Sequence, residues 1–285
     1  MVSAFHPRPK WGVAAGLPTA PAARCAHAHA SRKPVFPSRL VQFNSLGFAL
    51  MNSGHIAEAI EKFQAALTLK PDFPRALNNY GAALGMSGRF SDAVDPLKHA
   101  LRLAPAFADA RVNLGNTLIQ IGQLSEAVDE LEAAVKLRPD DSPTLYNLAL
   151  ALARLNRSSQ AIAHFERVLK LEPNNAEAHF QLAQLFRQSA KPEQAIEHYQ
   201  AVVRLKPNEV MAYAYMAQAL ANADRPNDAM AMAEKAIQVA AITGQAATGN
   251  QINDWLTKYK ASLQNGPGDS APTSSPTSNV ESKQP

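Results

Sequence analysis

From residue 40 to residue 241 the apolar and small positions recur with a fixed period. Pairs of a large apolar and a small residue stand at Leu46–Gly47, Tyr80–Gly81, Leu114–Gly115, Leu148–Ala149, Leu182–Ala183 and Met216–Ala217, each 34 residues after the last. Alanine recurs in the same register at Ala59, Ala93, Ala127, Ala161, Ala195 and Ala229. Proline does so at Pro71, Pro105, Pro139, Pro173 and Pro207. Six periods without insertion predict an array of one supersecondary unit repeated along the chain.

Each period predicts two helices. In the first, apolar residues fall at helical spacing, as in Leu77, Tyr80 and Leu84, or Leu145, Leu148 and Leu152. Gly54, Gly88 and Gly122, with Asn156 in the fourth period, supply the left-handed residue that closes it. Ala190 and Asp224 depart from this pattern, and Ala241 departs from the periodic proline. The second helix runs to the proline, which cannot continue it. Asp72, Asp140, Asn174 and Asn208 follow a proline and are expected to cap the next helix. Pro192 and Pro226 fall in first turns, where a missing N–H costs little, whereas Pro96 lies inside a helix. Small residues let paired helices approach, and Phe63, Leu97, Leu131, Phe165 and Tyr199 fill the space beside them. One helix pair cannot bury its apolar face alone, but stacked pairs can.

The pattern L-G-x2-L…G…A-x3-F…A…P over residues 40–241 resembles the tetratricopeptide repeat. Within that family it is most similar to the superhelical arm of O-linked N-acetylglucosamine transferase and related bacterial repeat proteins. The resemblance implies an all-α, right-handed α-solenoid of six helix-turn-helix repeats, at 40–73, 74–107, 108–141, 142–175, 176–209 and 210–241. Residues 242–264 are expected to form a capping helix, with Ile252, Trp255, Leu256, Tyr259 and Leu263 on one apolar stripe. A helix lying on a membrane surface is the alternative, but its polar face is weakly basic.

Composition changes the picture at the ends. Residues 1–39 are rich in Pro, Ala, His and Arg and contain no acid, and 265–285 are rich in Gly, Pro, Ser and Thr. Neither has apolar periodicity, and both are expected to be disordered tails. The first tail also has the character of a targeting segment, so a cytoplasmic location with a cleaved leader as alternative is the expectation. The net charge of +4 belongs to that tail. Between 40 and 264 there are 21 Lys and Arg against 22 Asp and Glu, so the body is not built to neutralise phosphates and no nucleic acid is expected on it. No apolar run reaches the ~18–20 residues that cross a bilayer.

Candidate chemistry is sparse. One cysteine, Cys25, excludes an internal disulfide. His27 and His29 are metal ligands only if a flexible tail were to fix them, so no metal and no cofactor is expected. His164 and His198 occupy one repeat position and read as surface histidines. Glu126, Asp129, Glu130 and Glu132 read as a solvated acidic face. No phosphate loop or nucleophile elbow is present, and the chain is expected not to be an enzyme.

In the family the first helices line the concave face and carry partner contacts. Carried onto this chain, that implies a peptide-binding set of Asn79, Asn113, Asn147, Asn78, Asn116, Tyr146, Phe180, Gln181, Gln184 and Arg187. Asn79, Asn113 and Asn147 share one repeat position and are expected to form a water-exposed row of amides. The clamp lysines of chaperone adaptors are missing: their places hold Asn44, Phe48, Asn79, Asp109 and Asn113. The expected function is a scaffold that holds a protein or peptide partner, as a monomer or with weak self-association. The alternatives are a substrate-recruiting arm of an enzyme complex such as a glycosyltransferase, or a self-assembling repeat protein.

Overall fold

The computed structural model describes residues 39–264, which form thirteen α-helices and no strand. The expectations for 1–38, including Cys25, His27 and His29, and for 265–285 lie outside the described residues. The described chain falls into two units, 39–157 and 158–264.

The first unit holds α1 (Arg39–Asn52), α2 (Ile56–Leu69), α3 (Pro74–Met86), α4 (Phe90–Leu103), α5 (Ala108–Gln120), α6 (Leu124–Leu137) and α7 (Ser142–Arg154). Helix α1 begins at Arg39, so the helical region takes in the last residue assigned to the tail. Each helix packs on the next, and the odd-numbered helices also touch one another, α1 on α3, α3 on α5 and α5 on α7. The close approach within each pair has a steric cause. A Cβ built on Gly47 would lie 2.7 Å from the Phe63 ring, on Gly81 2.5 Å from Leu97, and on Gly115 2.6 Å from Leu131. Phe63, Leu97 and Leu131 are each fully buried in the space those glycines leave. Between repeats, Leu77, Ala100 and Ala110 form a buried cluster with Leu67, Leu101 and Phe107 against it.

The second unit holds α8 (Ser158–Leu171), α9 (Ala176–Gln188), α10 (Pro192–Leu205), α11 (Val210–Asn222), α12 (Pro226–Ile242) and α13 (Ala246–Gln264), again packed in sequence. Helix α13 buries Ile252, Trp255, Leu256 and Tyr259, with Trp255 and Tyr259 stacked at 5.1 Å. Leu263 is 47% exposed and leaves the expected stripe. It stands in the last turn of α13, one residue before the helix ends.

Every odd-numbered helix from α1 to α11 ends alike. Gly54, Gly88 and Gly122 have φ of 81° to 84°, and Asn156, Ala190 and Asp224 adopt the same left-handed region at 58°, 54° and 56°. The backbone closes each end with paired bonds, as in His55 N–H to Leu50 O and Gly54 N–H to Met51 O, or Lys191 N–H to Phe186 O and Ala190 N–H to Arg187 O. The turn geometry is thus kept where the glycine is not. Gly244, at 72°, ends α12 in the same way where the periodic proline is absent.

The capping expectation needs correction. The N-cap residues are Phe73, Phe107, Asp141, Asn175 and Glu209, two positions after each proline. The residue directly after the proline belongs to the turn. Only Asp141 and Asn175 cap through their side chains, accepting from Thr144 N–H and Ala178 N–H.

Candidate functional site

The odd-numbered helices bring the expected residues to two places, one in each unit. In the first unit the asparagines form a hydrogen-bonded chain. Asn79 Nδ2 donates to Asn44 Oδ1 at 3.3 Å, Asn78 Nδ2 to Asn79 Oδ1 at 3.1 Å, and Asn113 Nδ2 to Asn78 Oδ1 at 2.9 Å. Two of these bonds join side chains 35 residues apart, and so link α1 to α3 and α3 to α5. Asn78, Asn79, Asn113, Asn116 and Asn147 are all fully buried, and Tyr146 nearly so. The water-exposed amide row is therefore replaced by a buried one. The odd-numbered helices pack directly on one another, so amides on that face meet each other across the junction. Buried amides without partners would be costly, and the chain of bonds lowers that cost for Asn44, Asn78, Asn79 and Asn113.

In the second unit Phe180, Gln181, Gln184 and Arg187 lie on α9, and Phe180, Gln184 and Arg187 meet Tyr199 on α10 or Tyr215 on α11. The rings of Phe180, Tyr199 and Tyr215 stand 5.9 to 6.2 Å apart. The Arg187 guanidinium lies over the Tyr215 ring, 4.8 Å from its centre, a favourable cation–π arrangement. Gln184 Oε1 accepts from Arg187 Nε at 3.1 Å, from Arg187 Nη2 at 3.0 Å and from Tyr199 OH at 3.1 Å. Tyr199 is buried, and burial pushes its phenol pKa well up. Gln181, Gln184, Arg187 and Tyr215 are half-buried and Gln188 is exposed, so this face meets solvent. Tyr199 was legible only as core filler. Its hydroxyl, aimed at Gln184, is what makes it part of the cluster.

A second feature beside this cluster escaped the sequence. His179 Nδ1 and His198 Nδ1 lie 2.9 Å apart, and His198 stacks on Phe186 at 5.5 Å. His198 is half-buried between α9 and α10, which corrects its reading as a surface histidine. His179 Nε2 lies 3.1 Å from the Pro173 carbonyl, which accepts only an N–H. Nδ1 of neutral His179 is then the acceptor, and His198 donates to it. Burial, and next the neighbouring His179, lower the His198 pKa below its ordinary value, while Glu197 opposes them. The acidic face is likewise paired: Arg111 donates to Glu130 at 2.6 Å and Lys98 approaches Glu126 at 2.7 Å. Among the described residues no group of three or more His, Cys, Asp or Glu side chains is placed to hold a metal ion. No helix among them is long and apolar enough to cross a membrane.

Paired helices with left-handed closures at a constant period define an α-helical repeat protein. Tetratricopeptide-repeat models match residues 47–88, 84–155, 146–210 and 180–247, and the chain belongs to the tetratricopeptide repeat family. Solved structures are similar to it in fold. MamA of Desulfovibrio magneticus is 23% identical with a TM-score of 0.56, covering 60% of this chain and 97% of its own. YrrB, described as a tetratricopeptide protein with an unusual peptide-binding site, is 22% identical with a TM-score of 0.57, covering 62% and 91%. A chain of the Cut9–Hcn1 hetero-tetramer is 20% identical with a TM-score of 0.58, covering 71% of this chain and 40% of that one. No curated protein matches the chain in sequence.

Proposed function

We propose that this chain is an interaction scaffold that holds a peptide segment of a partner protein against its odd-numbered helices. The observation that carries this reading is the half-exposed face of α9 and α11. There Gln181, Gln184 and Gln188 share α9 with Arg187, whose guanidinium lies over the Tyr215 ring. Amide side chains both donate to and accept from a peptide backbone, and a ring beside them offers apolar contact. In this reading Gln181, Gln184 and Arg187 touch the partner, with Phe180 as the packed floor beneath them. In the first unit the bonds among Asn44, Asn78, Asn79 and Asn113 hold α1, α3 and α5 to one another, with Asn116, Tyr146 and Asn147 buried on α5 and α7. The peptide-binding site announced for YrrB is consistent with such use of the fold.

The test is selection of binders from a random peptide library on the full chain, followed by affinity measurement on the Gln181→Ala, Gln188→Ala double variant. Enriched peptides that bind wild type and lose affinity on the variant support the reading. A library that yields no binder to the wild type, or binders indifferent to these two residues, overturns it.

A further inference from the structure

One pair of helical positions within each repeat is filled differently from repeat to repeat. The third repeat sets Arg111 against Glu130, an ion pair at 2.6 Å. Leu77 with Pro96, Leu145 with His164 and Tyr213 with Met232 hold the same positions in other repeats. The fifth repeat sets two imidazoles there, His179 on α9 and His198 on α10, with their Nδ1 atoms 2.9 Å apart.

Both rings are held in place. His179 Nε2 donates to the Pro173 carbonyl at 3.1 Å, and His198 stacks on Phe186 at 5.5 Å with the ring planes 8° apart. A hydrogen bond from the far ring nitrogen to a carbonyl orients a metal-ligating histidine and fixes its tautomer. Here it leaves the His179 Nδ1 lone pair on the side of His198. Both residues are half-buried, so the pair is reached from solvent. Burial and His179 hold the His198 pKa below its ordinary value, which keeps this imidazole neutral, the form that ligates. The Glu197 carboxylate adds a negative charge that is felt at the ring.

We infer that His179 and His198 form a two-histidine site for a divalent transition metal ion, of the class of Zn²⁺, Ni²⁺ or Cu²⁺, bridging α9 and α10. Imidazole nitrogen suits these ions, whereas Mg²⁺ and Ca²⁺ take oxygen. Each Nδ1 forms one coordinate bond, the ion releases two of its waters, and water keeps the remaining positions. The proton on His198 Nδ1 leaves for solvent and Nε2 takes one up, so both rings stay neutral and no net proton is released. With metal–nitrogen bonds of about 2.0–2.1 Å, two ligands of a tetrahedral ion stand about 3.3 Å apart. The pair therefore has to open by about 0.4 Å and turn both lone pairs toward the ion.

Thermal melts of the full chain with zinc or magnesium salt alone test the site. Zinc is expected to raise the wild-type melting temperature by several degrees, and more at higher concentration, because an ion held by the folded state stabilises it. Magnesium is expected to leave it unchanged. His179→Gln and His198→Gln are each expected to lose the rise, since one imidazole does not bridge two helices. The Cys25→Ala, His27→Ala, His29→Ala triple variant is expected to keep it, which separates this pair from the ligating residues near the N-terminus. Zinc titration of the wild type, followed in long-range proton–nitrogen correlation spectra, needs no substitution. The Nδ1 signals of His179 and His198 are expected to move together. No rise in the wild type, an equal rise with magnesium, a rise kept by either glutamine variant, a rise lost in the triple variant, or zinc shifts that spare those two Nδ1 signals would overturn the site.

Discussion

A single methyl group decides whether α3 and α4 can pack as they do. A Cβ on Gly81 would sit 2.5 Å from Leu97, closer than any real contact, and Leu97 is itself fully buried. Overpacking of this kind costs about 1–3 kcal/mol, so Gly81→Ala is expected to lower the melting temperature although alanine is the better helix former. Ala190 is the reverse case. It holds φ at 54° with a Cβ, in a position where the other closures use Gly, Asn or Asp. Ala190→Gly removes a left-handed strain of about 1–2 kcal/mol, partly offset by glycine's greater freedom in the unfolded chain. A small rise in melting temperature is expected, and a fall would show that the strain is relieved in some other way. The asparagines belong to the same scale. Asn113→Ala leaves Asn78 Oδ1 without the bond at 2.9 Å in a buried setting. The expected cost is about 1–3 kcal/mol, read as a lower denaturant midpoint with an unchanged slope. An unchanged midpoint would show that these amides do not couple α3 to α5. Small-residue positions were legible because sterics repeat with the period. The burial of the amides was not, because a polar residue on a helix face does not announce what packs over it.

Between elements, the spacing of interacting residues carries information that a helix-by-helix reading passes over. His179 and His198 are 19 residues apart, as are Arg111 and Glu130 two repeats earlier. Both pairs therefore join the same two helical positions within a repeat. Arg138 with Asp109 and Lys206 with Glu177 repeat likewise, each 29 residues apart, tying the end of an even-numbered helix to the start of the odd-numbered helix before it. Helix existence, order and closure were legible from a 34-residue period and local chemistry. These cross-helix pairs were not, since they require the offset between helices as well as the period. The histidine pair gives the α9–α10 contact a pH dependence. Burial lowers the folded-state pKa of His198 below 6.5, so the folded protein holds it neutral where the unfolded chain takes up a proton. The unfolded state then binds more protons as pH falls through 6.5, and stability is lost over that descent until the folded pKa is reached. The stabilisation is fully present above 6.5. The Glu197 charge, on the same helix, acts against this trend, and the neighbouring His179 acts with it. Melting temperatures from pH 8 downward are expected to fall more steeply for wild type than for His198→Phe. Parallel profiles would remove His198 from the account.

At the scale of the whole chain, a repeat array has an end problem that its own period cannot solve. Each odd- and even-numbered pair leaves an apolar face for the next pair, and the last pair has no successor. The unit 158–264 answers this with α13, whose Gly249 approaches Ala240 of α12 so closely that a Cβ there would lie 3.3 Å from the alanine. Trp255 is 5% exposed and its ring stacks on Tyr259, while Ile252 and Leu256 are buried beside them. Four large side chains removed from water contribute up to about 1.5–3 kcal/mol each, comparable in sum with the whole stability of a small domain. Deleting 245–285 is therefore expected to affect the end of the array first. Helices α11 and α12 should melt at a lower temperature than the rest, because stability in such arrays passes between neighbours. The uncovered face of α12, with Val239 among its buried residues, should also make the truncated chain associate as concentration rises. Trp255→Ala in the full chain provides the milder version, with an expected loss of about 3–5 kcal/mol. Circular dichroism melts and sedimentation at several concentrations measure both effects. A truncated chain that melts in one transition at the wild-type temperature, and stays monomeric, would show that α13 covers nothing the array needs covered.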